Sequence, residues 1–190
     1  MIEIILASSS PYRKQLLKQL NLDFSCVGPN IDETPKEGET ASKLVARLAE
    51  EKARKVAEGY PDDWIIGSDQ CASFDGTLIG KPGSVEAAVK QLQAFSGNEL
   101  IFYTSVCLFN RNNKHLEVDV VETKVAFRTL SDLEITEYVA KDNPIDCAGS
   151  FKAESLGISL FEELESKDPT ALIGLPLISL CRLMRDAGIF

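Results

Sequence analysis

Four polar positions in this chain point to one kind of chemistry. Arg13 follows the serine-rich turn Ser8-Ser9-Ser10-Pro11, and Lys81 is held between Gly80 and Pro82. Glu33 lies in the acidic stretch Ile31-Asp32-Glu33-Thr34-Pro35, and Asp69 follows the run Ile65-Ile66-Gly67-Ser68 just ahead of Gln70. Such a set suits a polyphosphate bound with a divalent metal. Cations balance phosphate charge, carboxylates hold Mg²⁺ or Mn²⁺, and a carboxylate polarises the attacking water. Spacing alone does not bring these loops together. Taken by itself, Asp69 is equally well explained as the cap of a following turn.

The elements that must position them follow from hydrophobic pattern and turn residues. Residues 2–7 form a first strand, and Ser10-Pro11 opens a helix whose apolar face is Leu16, Leu17 and Leu20. A serine-rich strand-to-helix turn leaves backbone N–H groups and hydroxyls facing outward at the positive end of the helix, which favours an anion. Residues 24–27 form a second strand. Thr40 or Ser42 caps a long helix to Glu58, whose charged residues Glu50, Glu51, Lys52, Arg54 and Lys55 read mostly as a solvated face. Trp64-Ile65-Ile66 is a short buried strand ending at Asp69, which places the carboxylate where open α/β sheets gather their ligands.

Beyond it, Asp75-Gly76 turns a hairpin, residues 84–95 form a helix, and residues 100–109 and 116–127 pair as a second hairpin. Ser131 and Glu134 make a capping box for a helix to about Ala140. Residues 148–154 read as small-residue loop or strand leading to 157–161, residues 169–174 as a short helical turn, and 177–187 as a closing amphipathic helix. The predicted fold is α/β with a mixed sheet, as one domain over residues 1–190.

Composition narrows the function classes. The 190 residues carry a net charge of -9, which disfavours a nucleic-acid or anionic-membrane partner while allowing a local basic pocket. No stretch approaches the roughly 20 apolar residues of a membrane span, and the N-terminal run reads as a strand and not a signal peptide. The five cysteines are scattered without a C-x-x-C pair, which fits reduced thiols in a cytoplasmic protein. Cys71 lies near Asp69, but the only histidine, His115, falls in the polar run 110–115, so a Cys–His pair lacks its geometry.

Leu6-Ala7-Ser8-Ser9-Ser10-Pro11-Tyr12-Arg13-Lys14-Gln15-Leu16-Leu17 resembles the opening signature of the Maf family of nucleoside triphosphate pyrophosphatases. The likeness continues in order through Asp32-Glu33-Thr34-Pro35, Ala49-Glu50-Glu51-Lys52-Ala53, Gly67-Ser68-Asp69-Gln70, Gly80-Lys81-Pro82, Ala148-Gly149-Ser150-Phe151 and Gly174-Leu175-Pro176. The resemblance implies a cytoplasmic, metal-dependent enzyme that cleaves a nucleotide between its α and β phosphates. It also implies an elongated mixed sheet flanked by helices, in two lobes around a central cleft. On the matched positions Asp69 resembles the proton acceptor, Ser10 and Arg13 the phosphate-binding helix start, and Lys81 the Gly-Lys-Pro lysine. Glu33 and Lys52 match polar residues of the family cleft, with Glu33 and Asp69 as candidate ligands of Mg²⁺ or Mn²⁺.

Substrate choice separates the branches of that family. The pyrimidine branch typically has Arg, Thr and Gln where this chain has Tyr12, Gln70 and Glu154, so the chain resembles the 7-methyl-GTP pyrophosphatase branch. Tyr12 departs from the Trp more often found at its position in that branch. N7-methylation makes guanine cationic, so Tyr12 can stack on it with cation–π attraction, while Glu154 can accept from the N1–H and N2 amine. The alternatives are a UTP or dTTP pyrophosphatase and a cell-division regulator with weak catalysis. The oligomeric state is left open, a homodimer being one option.

Overall fold

A computed structural model describes residues 3–189. Ile2, placed at the start of the first strand by the sequence, lies outside the described residues. Seven strands form one mixed sheet: β1 (Ile4–Leu6), β2 (Ser25–Cys26), β3 (Trp64–Phe74), β4 (Thr77–Ile79), β5 (Glu99–Asn110), β6 (His115–Phe127) and β7 (Phe161–Ser166). Their order is β2-β1-β3-β5-β6-β7, with β4 paired to β3. β1 runs parallel to β2 and β3, while β4 and β7 run antiparallel to β3 and β6. Five α-helices accompany them: α1 (Pro11–Lys18), α2 (Ala41–Ala57), α3 (Val85–Phe95), α4 (Asp132–Asp142) and α5 (Leu177–Asp186). The expected mixed α/β class is the observed one.

The chain divides into two compact units, one of residues 3–70, 104–121 and 168–189, the other of 71–103 and 122–167. In the first unit, strand alternation sorts side chains onto two helical layers. Leu6, Ile66, Val106 and Leu108 pack with Leu16 and Leu17 of α1 and Leu180 and Leu183 of α5. Ile5, Ile65, Cys107 and Phe109 point the other way, onto Ala49, Ala53 and Val56 of α2. Apolar residues on both faces of these strands explain why their sequences read as continuous apolar runs.

Helix ends follow their capping residues. Ser10 caps α1 by accepting from the Arg13 N–H, with Pro11 in the first turn. Thr40, rather than Ser42, caps α2 through the Lys43 N–H. Ser131 and Glu134 form the anticipated capping box of α4.

The second unit packs around aromatic rings. Phe74, Phe95, Phe102, Phe127, Phe151 and Phe161 meet mostly edge to face at centroid distances of 4.8 to 5.8 Å, the geometry favoured by ring quadrupoles. Asp75 and Gly76 take φ of 48° and 77°, the backbone that an Asp-Gly hairpin turn requires. β7, which runs from Phe161 into residues that the sequence leaves unassigned, is a sheet edge whose exposed Glu162, Glu163 and Glu165 discourage further pairing.

One difference bears on the site. β3 does not end at Asp69 but continues to Phe74. The neighbouring strand is the one that ends: β1 pairs only as far as Leu6↔Ile66, leaving Asp69 three residues beyond it along β3.

Candidate active site

Asp69 owes its surroundings to a glycine two residues before it. Gly67 points at α2, and a Cβ there would lie 2.0 Å from the Ala49 carbonyl oxygen and 3.1 Å from the Ala53 Cβ. Only a glycine lets the helix backbone approach the strand so closely. Lys52 lies one helical turn beyond Ala49 and so faces Asp69, the next residue on the same side of β3. Its Nζ donates to Asp69 Oδ1 at 2.5 Å and pairs with Glu33 Oε1 at 2.8 Å. Lys52 is 4% exposed and Asp69 7%, so the expectation that this helix face is solvated fails at Lys52. A buried ammonium needs such partners, and Lys52 has two. The Asp69 backbone is fixed as well: its N–H donates to Ser105 Oγ at 3.2 Å, and that hydroxyl donates to the Val45 carbonyl of α2 at 2.6 Å.

Arg13, in the first turn of α1, feels the same carboxylates. Burial pushes its pKa down, and the charges of Asp69 and Glu33 oppose that shift. The guanidinium remains protonated. Its Nε donates to the Gly174 carbonyl at 2.8 Å. Ser10, Arg13, Glu33, Lys52 and Asp69 therefore share the first unit; Lys52 contacts both Glu33 and Asp69, and Arg13 lies in the electrostatic field of those two carboxylates.

The loop bearing Glu33 is anchored by Arg47, a residue absent from the sequence reading. Its guanidinium reaches Glu39 with two contacts of 2.7 Å, Glu51 at 3.0 Å and the Thr34 carbonyl at 3.2 Å. Arg47 first, and then the Lys36 N–H, hold the Glu39 carboxyl down to about 2 from an ordinary 4.5. The folded pKa is depressed, so this contribution is present above pH 4.5 and lost as pH falls from 4.5 through about 2. An NMR titration of the Glu39 carboxyl should show a midpoint near 2, returning toward 4.5 in Arg47→Ala. A native midpoint above 4 would remove Arg47 as the anchor.

The specificity candidates are placed differently. Tyr12 is exposed in the first turn of α1. Gln70 is half-buried, and its Nε2 lies within 3.0 Å of Thr104 Oγ1 and the Ala171 and Leu172 carbonyls. Those donors are committed to the protein. Lys81 and Glu154 are both exposed in the second unit. Both act electrostatically on the Cys147 thiol, whose pKa is raised chiefly by burial.

Asp168 was also missed. Its carboxylate accepts from the Thr170 hydroxyl and from the Ile178 and Ser179 N–H groups, capping α5 and closing the turn ahead of it. The available signal was Asp168-Pro169-Thr170 before an apolar helix. That turn contains a short 3₁₀ segment, Ala171–Ile173, inside the expected helical stretch 169–174.

Among the described residues no cluster of three or more His, Cys, Asp or Glu side chains is arranged to hold a metal. Two carboxylates converging on one ammonium are what this site offers. No helix among the described residues is long and apolar enough to cross a membrane.

The family model for Maf-like proteins matches residues 3–187. A 7-methyl-GTP pyrophosphatase of Xanthomonas axonopodis pv. citri (strain 306) is 50% identical over 188 residues, covering 99% of this chain and 98% of that protein. Among solved structures, the Ham1 protein of Staphylococcus aureus aligns over 68% of this chain and 72% of its own, at 19% identity and a TM-score of 0.45. A HAM1 protein from Coxiella burnetii aligns over 67% and 73%, at 18% identity and a TM-score of 0.46.

Proposed function

This chain belongs to the Maf-like protein family, and on that premise we propose that it hydrolyses 7-methyl-GTP to 7-methyl-GMP and pyrophosphate. The observation that carries the chemistry is the Glu33–Lys52–Asp69 arrangement in the field of Arg13. Lys52 occupies Oδ1 of Asp69, which leaves Oδ2 to take the proton of a water aimed at the α-phosphorus. Arg13 and the α1 N-terminus receive phosphate oxygens, with Ser10 at the cap. Lys81, in the Gly80-Lys81-Pro82 segment, is assigned to the triphosphate on the family resemblance.

Mg²⁺ or Mn²⁺ fits this donor set in the mode where one or two carboxylates hold the ion and substrate phosphates with water complete its shell. Glu33 and Asp69 would hold it, and it would supply charge neutralisation on the phosphates. Tyr12, exposed at the helix start, stacks on the cationic base, and Glu154 accepts from its N1–H and N2 amine. A cytoplasmic location goes with this reading, supported by cysteines that are scattered along the chain without a C-x-x-C pair.

The test is pyrophosphate release from 7-methyl-GTP, GTP, UTP and dTTP with Mg²⁺, with Mn²⁺ and with chelator. A metal-dependent preference for 7-methyl-GTP supports the whole reading. A pyrimidine preference keeps the hydrolysis and removes the roles of Tyr12 and Glu154. No turnover of any nucleotide favours a regulatory protein. Tyr12→Ala should raise KM for 7-methyl-GTP about tenfold while moving KM for GTP much less, because cation–π attraction is lost only with the charged base. Equal effects on both nucleotides would reduce Tyr12 to a packing role.

A further inference from the structure

We propose that Ser68 is a positioning residue that fixes the Arg13 guanidinium through a shared backbone carbonyl; the inference rests on the phosphate role given to Arg13 above. Along β3, Gly67 and Asp69 face α2, so Ser68 and Gln70 face the opposite side. There they meet the turn 171–174. Ser68 is fully buried, and its Oγ donates to the Gly174 carbonyl at 2.9 Å. The same oxygen accepts from Arg13 Nε at 2.8 Å.

A carbonyl oxygen has two lone pairs, and these two donors, one from β3 and one from α1, take both. Gly174 has φ of 125°, a backbone that side chains rarely adopt, so no Cβ of its own stiffens the peptide. Its N–H donates to the Ala171 carbonyl at 2.9 Å, which holds one side of the residue, and the orientation of its own carbonyl is set further by what donates to it. Upstream, Gln70 and Thr104 hold the Ala171 carbonyl, and Gln70 the Leu172 carbonyl, which fastens the near side of the turn. Ser68 fastens the far side. The Gly174 carbonyl becomes a fixed pivot for Arg13 Nε, and the terminal nitrogens of Arg13 are aimed from it. Without Ser68 the pivot swings, and Arg13 swings with it.

The experiment is a double-mutant cycle on kcat/KM for 7-methyl-GTP with Mg²⁺, using Ser68→Ala, Arg13→Ala and the pair. Ser68→Ala should lose about tenfold, mainly through KM, as expected for a hydrogen bond acting on a charged group. In the Arg13→Ala background the same change should cost less than about twofold, because its only route to substrate is gone. Thermal stability should hardly change, since Gly174 keeps Arg13 as a donor. Ser68→Cys, close in size with a weaker donor, should fall between wild type and Ala. Equal losses in both backgrounds, or wild-type activity in Ser68→Ala, would overturn the proposal. Wild-type kcat/KM in Arg13→Ala would instead remove the phosphate role of Arg13, and the proposal with it. Should the wild-type protein turn over no nucleotide, the cycle is measured on binding of inorganic tripolyphosphate by calorimetry, with the same non-additivity expected.

Discussion

Asp69→Asn should lower pyrophosphate release by roughly 10²- to 10⁴-fold, the contribution usual for a positioned general base, with a melting temperature only a few degrees below wild type. The amide is nearly isosteric with the carboxylate but cannot take a proton. Its Oδ1 can still accept from Lys52, which sits 2.5 Å from the native oxygen, and Glu33 at 2.8 Å still balances the ammonium. The backbone bond from the Asp69 N–H to Ser105 does not involve the side chain at all. Asp69→Leu makes the informative contrast. It offers no acceptor, so the buried ammonium keeps only a half-exposed partner, and the cost approaches the roughly 3–5 kcal/mol of a broken buried pair. Two curves separate the cases: urea unfolding of each variant, and single-turnover hydrolysis under conditions where each is fully folded. Activity within about threefold of wild type in the folded Asn variant would exclude Asp69 as the base.

The same residue shows what was legible in the sequence. Helix starts, the Asp-Gly hairpin and the apolar stripes were readable because each depends on residues within a few positions. The length of β3 was not. Ser68-Asp69-Gln70 looks like the end of a strand because three polar residues break an apolar run. The strand continues because every one of them finds a partner far away in sequence: Ser68 at Gly174, Asp69 at Lys52, Gln70 at Ala171 and Leu172. Lys52 and Arg47 sit within a helix of mixed charge, and composition does not distinguish a buried cation from a solvated one. Arg47 is recognisable only once Glu39 and the Thr34 carbonyl are known to converge on it. The resemblance to the Maf family placed Glu33, Lys52 and Asp69 in one list; the fold supplies the reason that they touch.

Gly67→Ala tests that reason directly. The added methyl would lie 2.0 Å from the Ala49 carbonyl oxygen, 3.0 Å from its carbon and 3.1 Å from the Ala53 Cβ. The first two contacts are backbone in the middle of α2, so no flexible side chain can move aside. Either the helix lifts from the strand or the strand bends, and the core of Ile5, Ile65, Val56 and Phe109 opens with it. Overpacking of this kind costs about 3 kcal/mol or more, which should appear as a lower urea midpoint with an unchanged slope. The catalytic consequence should be larger than the stability loss alone explains. Ala49 and Lys52 are one turn apart on α2, so lifting the helix draws the ammonium away from Asp69 and Glu33. A misplacement of about 1 Å at a reacting group can cost roughly a hundredfold. Activity assayed where the variant is fully folded should therefore fall by that order. Full activity in a folded but destabilised Gly67→Ala protein would show that the spacing between α2 and β3 sets stability and not the geometry of the carboxylates.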